Sequence, residues 1–106
     1  MALTNKKLGL LLSARPEHPN FERATGLARE ARKAGVSVYL YLIDNAVVGL
    51  ASPPVQSLQR QGVHLFACAY AARRRDLEFR QDIVFAGLGQ LAEIIAHTDR
   101  FVTFGE

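Results

Sequence analysis

The stretch VHLFACAYAARRR, residues 63–75, decides the fold. Residues 63–67 are mostly apolar, β-branched or aromatic and favour a strand, whereas residues 69–75 are mostly alanine and arginine, which favour helix. The chain therefore passes straight from strand into helix, with Cys68 at the strand's carboxyl end. Upstream, Ser52, Pro53 and Pro54 combine an N-cap residue type with prolines in a first helical turn, where a missing amide hydrogen costs nothing, and Gly62 stops that short helix. Before it, residues 36–43 hold Val36, Val38, Tyr39, Leu40, Tyr41 and Leu42, a second strand. Residues 20–33 read as a helix capped by Asn20 and stopped by Gly35, with Phe21, Ala24, Leu27, Ala28 and Ala31 forming one apolar stripe. Residues 7–12 form the first strand, whose Leu8, Leu10, Leu11 and Leu12 leave no polar face, as in a strand buried on both sides. Downstream, residues 77–81 are ambiguous and residues 83–86 make a short fourth strand. Leu88, Leu91, Ala92 and Ile95 then mark the apolar face of a helix ending near His97, and residues 100–104 are a fifth strand. This alternation predicts an α/β protein, a three-layer α/β/α sandwich around a mainly parallel five-stranded sheet.

The 106 residues fit one domain, 1–106, with no linker, repeat or low-complexity segment. Hydrophobic residues make up 49% and charged residues 22%, enough for an ordinary buried core. Thirteen Lys and Arg against ten Asp and Glu leave a formal charge of +3, too modest to select a partner. Basic residues without interleaved exposed aromatics argue against sequence-specific nucleic-acid binding. No apolar run approaches the roughly 20 residues that cross a bilayer. Residues 1–12 show no cleavage pattern after their short apolar run, so the expected location is the cytoplasm, away from membranes.

In open parallel sheets, ligands gather outside the carboxyl ends of the strands, and that edge carries Cys68. As the lone cysteine it has no intramolecular disulfide partner and cannot complete a Cys-rich zinc site. A helix beginning at Ala69 and Tyr70 would set unpaired amides beside the sulfur and favour the thiolate. The competing reading is a buried cysteine acting as a small hydrophobe. His64 lies four residues earlier on the same strand face, roughly 13 Å away, which excludes direct proton transfer. His18 and His97 read as surface residues or helix-dipole partners, and no metal site is expected. Asp44 and Asn45 follow the second strand at the same edge, while Arg73, Arg74 and Arg75 fan around the helix and offer charge to an acidic partner. A phospho-receiver site fails, because the first strand ends in Ser13, Ala14 and Arg15 and the third in Cys68. Gly87, Gly89 and Ala92 match a dinucleotide fingerprint but come after the fourth strand, with only one strand remaining, so close helix–sheet packing explains the glycines better. Residues 46–51 are too apolar for a free loop and are expected to cover the crevice or lie in a subunit contact.

Three segments resemble the DsrE/DsrF-like family, which includes the TusD-type sulfur-relay proteins: residues 42–47, residues 63–75, and residues 86–93 leading into 99–102. With the opening strand and helix the likeness spans nearly the whole chain. The family's sulfur-carrying cysteine, at the end of the third strand before an alanine-rich helix with a basic end, maps onto Cys68. The resemblance implies a sulfur carrier or sulfurtransferase that holds sulfane sulfur as a persulfide on Cys68 without a cofactor. It implies a TusA-like small sulfur carrier, or another donor or acceptor, as partner. Assembly into a homo-oligomer, trimeric or hexameric, or a hetero-oligomer is implied as well. Asn45 and Ala46 stand where many relatives have aspartate and glycine, and residues 15–20 form a shorter, more proline-rich loop. Some relatives lack a working cysteine, so a non-catalytic structural or regulatory subunit is the alternative; a nucleotide-binding module ranks third.

Overall fold

A computed structural model describes residues 3–106. Five strands, β1 (Lys7–Leu12), β2 (Ser37–Leu42), β3 (His64–Cys68), β4 (Val84–Ala86) and β5 (Arg100–Phe104), form one parallel sheet in the order β4-β3-β2-β1-β5. The connections are α1 (Pro19–Lys33), a 3₁₀ segment (Asp44–Gly49) followed by α2 (Pro53–Arg60), α3 (Ala69–Arg74) and α4 (Leu88–His97). The predicted elements are all present, with ends within about two residues of expectation. Gly35 and Gly62 both take φ +90°, the left-handed conformation that lets a chain leave a helix sharply.

The cap of α1 differs from expectation. His18 occupies the N-cap position and its Nδ1 accepts the Asn20 amide at 3.1 Å, so that Pro19, which has no amide hydrogen to satisfy, opens the helix. Asn20 reaches instead to the far end of the chain, its Nδ2 donating to the Gly105 carbonyl at 2.5 Å. Ser52 does hold the N-cap position of α2, but its hydroxyl donates backward to the Gly49 carbonyl rather than capping the helix.

Strand register sorts side chains onto two unequal faces. Leu10, Leu12, Val38, Leu40, Leu42, Leu65 and Ala67 share one face and are all buried. Right-handed crossovers place α1 and α2, whose connections step in one direction along the sheet, on that face. The step from β4 to β5 runs the opposite way, which puts α4 on the second face. Gly9 makes room for it: a Cβ there would lie 2.7 Å from Phe101 and 2.9 Å from Ile94. One ten-residue helix cannot cover five strands, so Tyr39, His64, Phe66 and Val84 on the same face keep contact with solvent.

The orientation of α4 overturns the expected apolar face. Ile94 is its buried anchor and Leu91 is partly buried, while Leu88, Ala92 and Ile95 point outward. Close packing does not explain the glycines either, because a Cβ at Gly87 or Gly89 would meet nothing within 4 Å. The apolar run 46–51 packs into its own chain, with Ala46, Val47, Gly49 and Leu50 buried and Val48 exposed.

Candidate active site at the carboxyl edge of the sheet

Cys68 is both the last residue of β3 and the N-cap of α3. A capping residue keeps extended backbone, here φ −66° and ψ 116°, and turns its side chain back over the first helical turn. The Sγ atom accordingly accepts the Ala71 amide hydrogen bond at 3.4 Å. An N–H aimed at sulfur interacts more strongly with an anion than with a neutral thiol. This contact, rather than the dipole of a six-residue helix, is what the fold supplies to the sulfur.

Cys68 lies in the wall of an open crevice of about 530 Å³. It is 7% exposed, so the thiol is recessed and is approached through the crevice, not across the open surface. Ile43 and Asp44 form one wall, Tyr70, Arg74 and Arg75 a second, and Gly87 and Leu88 a third. Tyr70 and Leu88 stand at the rim with 66% and 64% of their surfaces open to solvent. A groove between α4 and the sheet, lined by Tyr39, Phe66 and His97 among others, contains no cysteine.

The other residues singled out from sequence divide between this crevice and its surroundings. Asp44 borders the crevice in a left-handed conformation, φ 51°, where the chain turns from β2 into the 3₁₀ segment. Asn45 accepts a 2.9 Å hydrogen bond from the Arg75 guanidinium, which also donates to the Ala71 carbonyl at 3.1 Å. Arg75 thus ties the 3₁₀ segment to α3. Arg74 donates to the Tyr70 hydroxyl at 3.1 Å and keeps its charge at the rim. Arg73 turns elsewhere, its guanidinium carbon 5.3 Å from the centre of the Phe79 ring, which stacks on Phe85. Ala69 supplies only the first helical position beside the sulfur. The three histidines stay apart from this cluster: His18 caps α1, His64 stacks on Tyr39 at 4.6 Å, and His97 pairs with Glu93.

Sequence reasoning missed Tyr41. It was legible only as one more apolar position of β2, yet a tyrosine in a central strand must find a partner for its hydroxyl when buried. Its ring lies on the same face as Cys68 and is fully buried. The hydroxyl donates toward the Ala86 and Gly87 carbonyls, at 3.0 and 3.2 Å, on the far side of β3. Ala86 is the direct neighbour of Cys68 in the sheet, so the phenol, in reaching the Ala86 carbonyl, crosses β3 beside the sulfur. Burial first, then the charge and hydrogen bond of Cys68, push the phenol up to about 12 from its ordinary 10.0.

No curated protein matches the chain. Among solved structures, the ychN protein from E. coli superposes with a TM-score of 0.70 at 18% identity, covering 93% of this chain and 99% of its own. A conserved protein of unknown function from Bacteroides thetaiotaomicron gives 0.73 at 16% identity, covering 98% and 99%. At such identities the likeness establishes a shared fold. The model of the DsrE/DsrF-like family matches residues 6–104, a span that takes in all five strands, Tyr41 and the Cys68 crevice, and on that match the chain belongs to the DsrE/DsrF-like family.

Proposed function

We propose that the protein is a sulfur carrier that accepts sulfane sulfur on Cys68 and hands it to a partner protein. The observation that carries this reading is the position of the chain's single cysteine: in the wall of a crevice at the strand edge, with an amide hydrogen bond on its sulfur, in a member of the DsrE/DsrF-like family. In the loading step the Cys68 thiolate attacks the outer sulfur of a donor R–S–SH. A new S–S bond forms on Cys68, the donor's S–S bond breaks, and R–S⁻ leaves, so no external oxidant or reductant enters. Attack by an acceptor thiolate on the outer sulfur reverses the same exchange. The Ala71 amide stabilises the Cys68 thiolate that attacks and that is restored on transfer, and the recess limits access of bulk reductant to the S–S bond.

The partner must insert a narrow thiol-bearing element, since a recessed sulfur is out of reach of a flat surface. Arg74 and Arg75 at the crevice favour an acidic surface around that element, as on a small sulfur-carrier protein of the TusA type. The outward apolar residues of α4, with Ile95 half exposed, support assembly of several copies or of related subunits around this face. The recession of Cys68 also favours a second reading, a structural subunit whose cysteine carries nothing. Intact mass spectrometry separates the two. After incubation with a persulfide or polysulfide donor, the wild-type protein should gain one sulfur atom that dithiothreitol removes, and Cys68→Ser should gain none. An unmodified wild type that nevertheless forms a defined oligomer would favour the structural subunit.

A further inference from the structure

We propose that Tyr41 is a positioning residue for Cys68: its buried hydroxyl turns from the Ala86 and Gly87 carbonyls to donate to the sulfur when the sulfur becomes anionic. Tyr41 lies on β2, Cys68 on β3, and the two carbonyls at the β4–α4 junction, so the phenol spans the middle strand and passes the cysteine on its way. A hydroxyl has one proton and can rotate it among neighbouring acceptors. With a neutral thiol, the carbonyls are the better acceptors. With a thiolate, the charge makes sulfur the stronger one, and the same proton turns to it. The ring is held by full burial in the sheet face, so the switch is made at the hydroxyl without the ring leaving the core. A phenol that ionises near 12 keeps its proton throughout the range in which a thiol titrates, which is what a permanent donor requires.

The other groups facing the sulfur do not duplicate this role. Asp44, from the 3₁₀ segment, is an acceptor when ionised; Tyr70, Arg74 and Arg75, from α3, line the outer wall and are otherwise engaged; the start of α4 offers only Gly87 and Leu88. The Ala71 amide already donates to the sulfur, and Tyr41 adds a side-chain donor once the sulfur is anionic. In consequence, and resting on the sulfur-carrier reading for its biological use, Tyr41 holds the thiolate ready for loading.

The test is the pH profile of Cys68 alkylation by iodoacetamide in the full-length protein, for wild type, Tyr41→Phe and the control Tyr39→Phe. Loss of the hydroxyl should move the profile to higher pH and slow alkylation near neutrality roughly three- to tenfold, with the control unchanged. Profiles of wild type and Tyr41→Phe that superpose would overturn the inference. If Tyr41→Phe does not fold, the coupling is read from the other side by ultraviolet titration. Cys68→Ala should bring the last tyrosine ionisation part of the way down from about 12, with burial still holding it raised, and an unchanged midpoint would overturn the inference. Sulfur loading is scored separately. A profile shift in a protein that takes no sulfur supports the Tyr41–Cys68 coupling and removes the carrier reading, whereas loading with superposed profiles does the reverse.

Discussion

At residue scale, the site depends on a few atoms whose surroundings differ sharply from what their residue types usually meet. Tyr41 is the clearest case, since its folded ionisation lies near 12 and its ordinary value at 10.0. The folded state therefore binds this proton more tightly than the unfolded chain, so the stabilisation is fully present below pH 10 and is lost as pH rises toward 12. Chemical denaturation followed across that range should show a steeper alkaline loss for wild type than for Tyr41→Phe. Asp44 offers a second prediction. Its φ of 51° is tolerated by Asp and Asn but crowds a β-branched side chain. Asp44→Asn should be nearly neutral, whereas Asp44→Val should cost about 1–2 kcal/mol in a urea titration. Cys68 was legible from sequence because it stands alone at a strand-to-helix junction. Tyr41 was not, because its importance arises from lateral register: the ring crosses β3 to reach carbonyls more than forty positions further along the chain.

At the scale of elements, the strands were readable because each is a short apolar run bounded by turn residues, and parallel strands buried on one or both faces must look that way. The rotation of α4 was not. Leu88, Leu91, Ala92, Ile94 and Ile95 are all apolar, so the helix carries hydrophobic residues over more than one face and its sequence does not say which faces the sheet. Gly9 decides it, through the space its missing side chain gives Ile94 and Phe101. Gly9→Ala should therefore destabilise the fold by about 1–3 kcal/mol and loosen α4, measurable as faster amide exchange along residues 88–97. Gly89→Ala is expected to act in the opposite direction. Nothing lies near the new methyl group, and helix propensity alone should raise stability by up to about 1 kcal/mol in the same assay. The 3₁₀ segment, expected to cover the crevice or lie in a subunit contact, packs inward instead: its run of apolar residues gives no hint of direction, and Ala46, Val47 and Leu50 turn into the chain's own core.

For the whole molecule, the unequal coverage of the sheet has the largest consequence. One face is sealed by helices, while the other relies on α4 and leaves Tyr39, Phe66 and Val84 in contact with water beside the outward Leu88 and Ile95. If this side is where copies meet, Ile95→Glu should reduce the assembled mass measured by light scattering toward the 11.7 kDa of one chain, with far-ultraviolet circular dichroism unchanged. The Cys68 crevice opens at the strand edge beside Leu88, so assembly and sulfur exchange would share a border at the start of α4.

The most direct measurement is peptide mapping of the protein after exposure to a persulfide donor, followed by addition of a thiol-bearing acceptor protein. The sulfur-carrier account predicts one extra sulfur on the peptide of residues 61–73, which contains Cys68, and its disappearance as the acceptor gains the same atom. A wild-type peptide that never gains sulfur, or one whose sulfur stays in place while competent acceptor thiols are present, would contradict it.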